Sequence, residues 1–158
     1  MNFTNIYNTG YEVMLAAFIS NITAQVAKTI VNAFKKGTFE SYMLYSTGGM
    51  PSSHSSTVTA TAASIGIVAG FDSPVFALAL IFSLITMYDA QGVRMAAGHQ
   101  ATILNQMLRE LFSQHPTLKF KNLKELLGHT PMQVLVGALL GVGVAFVWHY
   151  IIAQKLSM

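Results

Sequence analysis

The sequence predicts an all-α protein, a polytopic membrane helical bundle with about four spans plus an amphipathic helix at the inner face. Only 9% of the 158 residues are charged, against about 25% in an ordinary soluble domain, and 53% are hydrophobic. The mean hydropathy is +0.49. Four apolar segments approach the length of about 20 residues that a helix needs to cross a bilayer. The length fits a single integral-membrane domain over residues 1–158.

The rest of the composition excludes several classes of protein. The formal net charge is only +3, and the few basic residues lie between apolar runs, so we expect no nucleic-acid partner. The absence of cysteine excludes disulfides and thiolate metal sites. No basic region precedes the first apolar segment, so no cleaved signal peptide is predicted.

Helical spans are predicted for four segments, and a fifth segment predicts an amphipathic helix. The four spans are residues 13–34, 56–69, 73–88 and 131–153. The second and third are short and are separated only by GFDSP, which is typical of a tight hairpin. The fifth segment, residues 96–112, places its apolar side chains on one side of a helix. These side chains are Ile103, Leu104, Met107, Leu108 and Leu111.

Basic residues near the span ends predict the orientation in the membrane. Lys35 and Lys36 follow the first span, whereas the loop between the second and third spans carries only Asp72 as a charged residue. The basic residues between the third and fourth spans are Arg94, Arg109, Lys119, Lys121 and Lys124. Since basic loops stay in the cytoplasm, we expect an integral protein of the plasma membrane with both termini outside.

The polar motif GGMPSSHSS, residues 48–56, directly precedes the second apolar run. Ser52 and Ser53 are typical of a helix N-cap, and a helix start presents unpaired N–H groups with a positive dipole. Such a helix start binds anions, above all phosphate. A plain helix cap is the alternative interpretation. His54, however, is not needed for a cap and lies where a bound anion would be.

The first span carries an unusual polar face. Asn21, Gln25, Lys28 and Asn32 are spaced 4, 3 and 4 residues apart, which places them on one side of a helix. A lysine within a span is costly and usually faces a cavity or a partner. The alternative is that Lys28 extends to the inner interface.

A third polar element lies at the end of the third span. Asp89 occupies a helix C-terminus, where the dipole disfavours a carboxylate. Arg94, five residues on, is either its salt-bridge partner or a fork for a phosphate group. Together with LLGHTP, residues 126–131, the polar motifs all fall on one predicted side of the membrane, and this clustering predicts an anionic ligand there.

No metal or cofactor is predicted. The sequence has none of the usual metal-binding motifs, and its six acidic residues are dispersed. Among the remaining histidines, His115 and His149 are predicted to be structural.

The stretches TGGMPSSHSS, MYDAQGVRMAAGHQATILNQ and LKELLGHTPMQVLVGALLG occur in this order. In these motifs the chain resembles the divergent branch of the type 2 phosphatidic acid phosphatase superfamily, the membrane proteins related to acid phosphatases and vanadium-dependent haloperoxidases. The resemblance covers nearly the whole chain. It implies a histidine nucleophile, phosphate-clamping Lys and Arg residues, and a second histidine that protonates the leaving group.

The resemblance assigns roles to particular residues. PSSH matches the superfamily's P-S-G-H with Ser53 in place of glycine, which implies Ser52 as a phosphate ligand and His54 as the general acid. Lys28 and Lys35 have the spacing of its K-x6-R-P motif, with lysine in place of arginine. Arg94 takes the place of the arginine in its S-R-x5-H-x3-D motif.

The nucleophile has two candidates, because the chain departs from the third motif. His99 lies one residue short of the expected position and no Asp lies four residues beyond it, whereas His129 is followed by Gln133 at the H-x3-D spacing. We favour His129, with Gln133 orienting its imidazole, and keep His99 as the lesser candidate. Asp89 is a possible source of the missing negative charge.

Two functions are compatible with these features. The first is a phosphatase that acts on a lipid phosphate or pyrophosphate through a phospho-histidine at the cytoplasmic face, with phosphatidylglycerol phosphate, phosphatidate and undecaprenyl pyrophosphate as candidate substrates. The second is a non-catalytic membrane protein that binds or transports an anionic lipid. Gly137 and Gly141 allow close helix packing, within the chain or in a homo-oligomer.

Overall fold

The predicted all-α membrane bundle is confirmed. The computed structural model describes residues 6–38, 48–113, 123, 128–153 and 155, and no strand occurs among them. These described residues form five α-helices, the last of which continues as a π-helix. They are α1 (Gly10–Lys36), α2 (Ser53–Ala69), α3 (Pro74–Gln91), α4 (Val93–Ser113), α5 (Pro131–Val147) and the π-helix (Trp148–Ala153).

Three helical stretches are long and apolar enough to cross a membrane: Gly10–Lys36, Pro74–Phe112 and Pro131–Ile151. The second of these runs through both α3 and α4. The remaining predicted span, residues 56–69, corresponds to α2, which begins three residues earlier than expected and has 17 residues. It packs against α1, α3 and α5 and therefore forms the centre of the bundle.

Hydroxyl caps explain where three of the helices begin. The Ser52 hydroxyl accepts from the Ser55 amide at 3.3 Å, and the Ser73 hydroxyl accepts from the Phe76 amide at 3.2 Å. Thr130 caps α5 in the same way. In α3 and α5 the cap is followed directly by proline, whose missing N–H costs nothing in the first turn.

Small residues allow α2 to lie close to its neighbours. The buried residues of α2 are serine, threonine, alanine and glycine. On the α1 side, the hydroxyls of Ser20 and Ser56 are 2.6 Å apart, and Asn21 donates to Thr57 at 2.9 Å. On the α5 side, the Thr59 hydroxyl donates to the Ala138 carbonyl at 3.0 Å. Close packing and interhelical hydrogen bonds are the interactions that hold helices together in lipid.

Glycines on α5 form the closest part of this contact. A Cβ at Gly137 would clash with the backbone of Ser52, and one at Gly141 would clash with the Ser56 carbonyl. The two glycines thus serve packing within the chain. They also set α2 and α5 side by side and parallel, so that both helices begin at the same end of the bundle.

Gly141→Ala is expected to destabilise the protein by about 1–3 kcal/mol, because the added methyl group meets backbone that cannot rotate away. Gly143→Ala is the matched control, since a Cβ there meets nothing within 4 Å. The control should be neutral, or stabilising by up to about 1 kcal/mol through helix propensity. Thermal unfolding of the purified variants in detergent checks the difference. Equal stability of the two variants would contradict the packing described above.

The opposite end of the bundle contains a buried acidic and histidine pair. Nδ1 of His149 donates to Oε1 of Glu12 at 2.6 Å, and the Asn8 amide donates to the other carboxylate oxygen at 2.6 Å. Glu12 is fully buried, His149 is 5% exposed, and the ring of Tyr7 stacks on the imidazole. The pair joins the start of α1 to the π-helix. The pair agrees with the structural role predicted for His149, although no sequence pattern pointed to Glu12 as its partner.

Helix α4 covers the predicted amphipathic segment and packs mainly against α3. Its apolar residues Ile103, Leu104, Met107 and Leu111 are exposed. Asn105 is buried and forms two hydrogen bonds with the backbone of Leu123, at 2.8 and 2.9 Å. This contact holds Leu123, which lies in the connection between α4 and α5, against helix α4.

Candidate functional site

Three polar elements of the sequence meet at the end of the bundle where α2 and α5 begin. They are GGMPSSHSS, the end of the third span, and the residues that directly precede α5. The Ser52 amide donates to the Gln133 carbonyl at 3.0 Å, which ties the start of α2 to the start of α5. The His129 amide donates to the Ala90 carbonyl at 3.1 Å, which ties the start of α5 to the end of α3. We call this the histidine end of the bundle.

His54 and His129 face each other at the histidine end. Their ring centroids are 6.3 Å apart and the ring planes are inclined by 55°. His54 lies in the first turn of α2 and is half-buried, whereas His129 directly precedes the N-cap of α5 and is 3% exposed. The spacing lets both rings contact one small group between them.

Gln133 determines which nitrogen of His129 carries the proton. The Thr130 amide donates to Oε1 of Gln133 at 3.2 Å as part of a capping box, so this atom must be the amide oxygen. The same oxygen lies 3.2 Å from Nδ1 of His129. Because an oxygen acceptor requires a donor, Nδ1 of His129 carries the hydrogen, and Nε2 of the neutral ring keeps its lone pair.

A small cavity of about 90 Å³ is linked to His129 through Gln133, and its described lining residues are Lys28, Val31, Asn32, Lys35, Gly49, Met50 and Gln133. Gln133 is therefore shared between the cavity and the hydrogen bond to His129. Lys28 is 1% exposed, so it faces the cavity and does not extend to an interface. A space of this size holds several waters or one small anion.

The electrostatics of the cavity favour an anion. Two lysines line it, and none of its other described lining residues is acidic. The N-termini of α2 and α5 add the positive ends of two helix dipoles, since both helices begin there. Lysine charge and helix N-termini are the elements from which proteins build phosphate sites.

Ser52 and Ser53 lie at the start of α2, and both are buried. The Ser52 hydroxyl accepts from the amide and the hydroxyl of Ser55, at 3.3 and 3.0 Å. It thus serves as the helix cap, and its own hydrogen remains available for a ligand oxygen. Asp89 is half-buried in the last turn of α3. It directly precedes Ala90, whose carbonyl accepts the hydrogen bond from the His129 amide.

One described candidate lies apart from this group. His99 is exposed on α4. Arg94 lies in the first turn of α4, and its side chain is outside the described residues, as are Lys119, Lys121 and Lys124. Among the residues that the structure describes, no group of three His, Cys, Asp or Glu side chains is arranged to hold a metal ion.

Sequence reasoning missed two contributors to the site. Asn32 was noted only as part of the polar face of α1, yet it lines the cavity beside Lys28. Gly128 packs so closely on the backbone of Met95 that a Cβ would clash, which holds the segment before His129 against the junction of α3 and α4. The signal available in the sequence for Gly128 was its position immediately before the candidate residue His129.

Comparison with known proteins agrees with these features. Residues 9–144 match a family model described as the divergent PAP2 family. The chain is similar to the uncharacterized membrane protein YuiD of Bacillus subtilis (strain 168), with 38% identity over 147 residues, covering 87% of this chain and 93% of the relative. No solved structure matches the chain.

Proposed function

The chain belongs to the divergent PAP2 family, and on that premise we propose that it is a membrane phosphatase that hydrolyses a lipid phosphate monoester or pyrophosphate. The observation that carries this proposal is the placement of two histidines at 6.3 Å beside a cavity lined by lysines. A phosphate in this cavity lies between helix N-termini and cationic side chains. Phosphoryl transfer through an enzyme intermediate needs a nucleophile and a group that transfers protons; His129 supplies the electron pair and His54 the proton.

In the first step, the lone pair on Nε2 of His129 attacks phosphorus. The bond from phosphorus to the lipid oxygen breaks, and His54, protonated at the start, gives its proton to that oxygen. The products are the lipid alcohol and phospho-His129. Gln133 holds the His129 ring in the required tautomer, and Lys28 and Lys35 neutralise the phosphoryl oxygens.

In the second step, neutral His54 takes a proton from water as the water oxygen attacks phosphorus. The bond between phosphorus and Nε2 breaks, which releases inorganic phosphate and restores both histidines. For a pyrophosphate the same steps apply, with a lipid monophosphate as the first leaving group. Ser52 and the side chain of Arg94 are proposed as further phosphate ligands, and Ser53 as part of the same helix start.

Gln133 in place of an aspartate favours the alternative function, binding or transport of an anionic lipid without turnover. A neutral amide orients an imidazole but does not stabilise an imidazolium as a carboxylate does. Asp89 directly precedes Ala90, and the Ala90 carbonyl accepts a hydrogen bond from the His129 amide. We propose that Asp89 supplies part of the missing charge.

The test is phosphate release by the purified protein from a panel of phosphatidylglycerol phosphate, phosphatidate and undecaprenyl pyrophosphate. We expect turnover of at least one of these lipids that persists in EDTA, because lysines and helix N-termini provide the positive charge. Binding of a lipid phosphate without release of phosphate from any of the three would select the non-catalytic alternative.

Gln133→Leu is expected to lower kcat by about 10- to 100-fold, because it removes the acceptor that orients the His129 ring. Gln133→Glu keeps the acceptor and adds the charge that stabilises an imidazolium. Its kcat should therefore match or exceed that of the native enzyme, while its KM should rise, because the added negative charge also lines the anion cavity. Steady-state kinetics of both variants check this. A loss of activity in Gln133→Glu as large as in Gln133→Leu would contradict the positioning role.

We also propose that the histidine end faces the cytoplasm. Lys35 and Lys36 lie at that end of α1, and basic residues near span ends are retained inside. With a cysteine-free chain, Lys36→Cys should resist a membrane-impermeant thiol reagent in intact cells, whereas Asp72→Cys should react. The reverse labelling pattern would place the site on the outer face.

A further inference from the structure

One face of α1 changes from polar to apolar along its length. Tyr11, Met14 and Phe18 continue the 3 and 4 residue spacing of Asn21, Gln25, Lys28 and Asn32, so all seven lie on one side of the helix. The lysine half of this face lines the cavity at the histidine end. The other half lines an open groove of about 620 Å³ between α1 and α2.

The groove is apolar and ends in a polar contact. Tyr11, Met14, Ala17 and Phe18 line it along α1, and Asn21 with Thr57 lies at its end nearest the cavity. Nδ2 of Asn21 donates a 2.9 Å hydrogen bond to Thr57, so this polar pair is joined across the two helices. The rest of the described lining is mainly hydrocarbon and therefore suits an apolar chain.

Between the groove and the cavity lies Gln25, whose Oε1 atom is buried and has no hydrogen-bond partner among the described residues. Buried acceptors are nearly always satisfied. A hydroxyl or a bridging water in the polar part of a lipid, between its phosphate and its hydrocarbon chain, would supply this donor. Along this face of α1 a cation, an amide and apolar side chains follow one another. A lipid has the matching order of phosphate, polar linkage and hydrocarbon chain.

We propose that the groove binds the hydrocarbon chain of the lipid whose phosphate occupies the Lys28 cavity. This inference rests on the proposed function and adds a chain-length requirement. Seven residues separate Lys28 from Asn21, which is about 10 Å along the helix, and seventeen separate Lys28 from Tyr11, about 25 Å. A leaflet is about 15 Å thick, so the bound chain passes the bilayer midplane. Chains shorter than about 10 Å end before the groove.

Ala17→Trp tests the proposal by filling the groove, and Ala77→Trp is its matched control on the exposed surface of α3. Because the indole takes the place in which the chain packs, and loss of packing contacts worth only about 1.4 kcal/mol in all is a tenfold change, KM for a long-chain lipid phosphate should rise by about tenfold. KM for hexyl phosphate should stay unchanged in both variants. Equal effects of Ala17→Trp on long and short substrates, or none on either, would overturn the proposal.

A second measurement does not depend on turnover. A phosphatidate with a diazirine near the end of one acyl chain, in phosphatidylcholine vesicles, should label the native protein at residues 11–18. The matching diacylglycerol probe, which lacks the phosphate, should label them far less. Equal labelling by both probes would show that the groove holds only bulk lipid. If no lipid phosphate is hydrolysed but this labelling difference is seen, the proposed activity fails and the groove stands.

Discussion

Replacing His54 by alanine is expected to lower phosphate release by about 10²- to 10⁴-fold, the usual cost of losing a group that transfers a proton in the transition state, and replacing His129, the proposed nucleophile, should cost at least as much. The two rings are 6.3 Å apart, and Gln133 links His129 to the lysine cavity, so we expect both rings to reach a phosphate bound there. His99→Ala is the matched control. His99 is exposed on α4, and its removal should leave the rate unchanged.

The two histidine variants should differ in the intermediate that they form. His129→Ala has no nucleophile and should form no phospho-enzyme from any substrate. His54→Ala keeps the nucleophile, and p-nitrophenyl phosphate has a leaving group that departs without a proton. With that substrate, His54→Ala should accumulate phospho-His129, because the base that activates water is missing. Radiolabelled or mass-spectrometric detection of phospho-histidine distinguishes the two outcomes.

A different pattern would reassign the nucleophile. If His129→Ala retains activity and a phospho-enzyme while His99→Ala loses both, then His99 is the nucleophile. The geometry argues against this result, since the hydrogen bond to Gln133 fixes the tautomer of His129 and leaves its Nε2 with a lone pair.

Most of the helices could be predicted from the sequence because their signals are local. Ser73 with Pro74 and Thr130 with Pro131 mark helix starts within two residues, and long apolar runs mark the spans. The apolar span was begun at residue 56, three residues after the start of α2, because the serines before it are polar, although a helix cap was expected at Ser52 and Ser53. Serines at this helix start are buried against α1 and α5, where small polar residues permit close approach.

The meeting of His54, His129 and Gln133 at one end could also be anticipated, because charge distribution placed their motifs on the same side of the membrane. The hydrogen-bond partners of residues on different helices could not be predicted from the sequence. Glu12 and His149 are 137 residues apart, and an acidic residue in the first turn of a helix is already explained by the helix dipole. Asn105 likewise gave no signal for its backbone partner, since helical periodicity shows which residues share a face but not what that face meets.

The buried Glu12–His149 pair leads to the largest expected effect on stability. Glu12→Ala should lower the free energy of unfolding by about 3–5 kcal/mol, because removing one partner of a buried pair leaves the other without compensation. The Asn8 amide also loses its acceptor. Equilibrium unfolding in detergent measures the loss. Phosphate release at low temperature should remain, since the pair lies at the opposite end of the bundle from the histidine site.

Two further variants separate the pair interaction from simple loss of packing. Glu12→Gln keeps an oxygen that can accept from His149 and Asn8, so it should cost much less than Glu12→Ala. In Glu12→Leu with His149→Leu, neither polar group is left alone. The double variant should therefore be more stable than the sum of the single changes predicts, which is the signature of coupling in a double-mutant cycle. Additive losses would mean that the 2.6 Å hydrogen bond contributes little, and that burial of the side chains alone holds α1 to the π-helix.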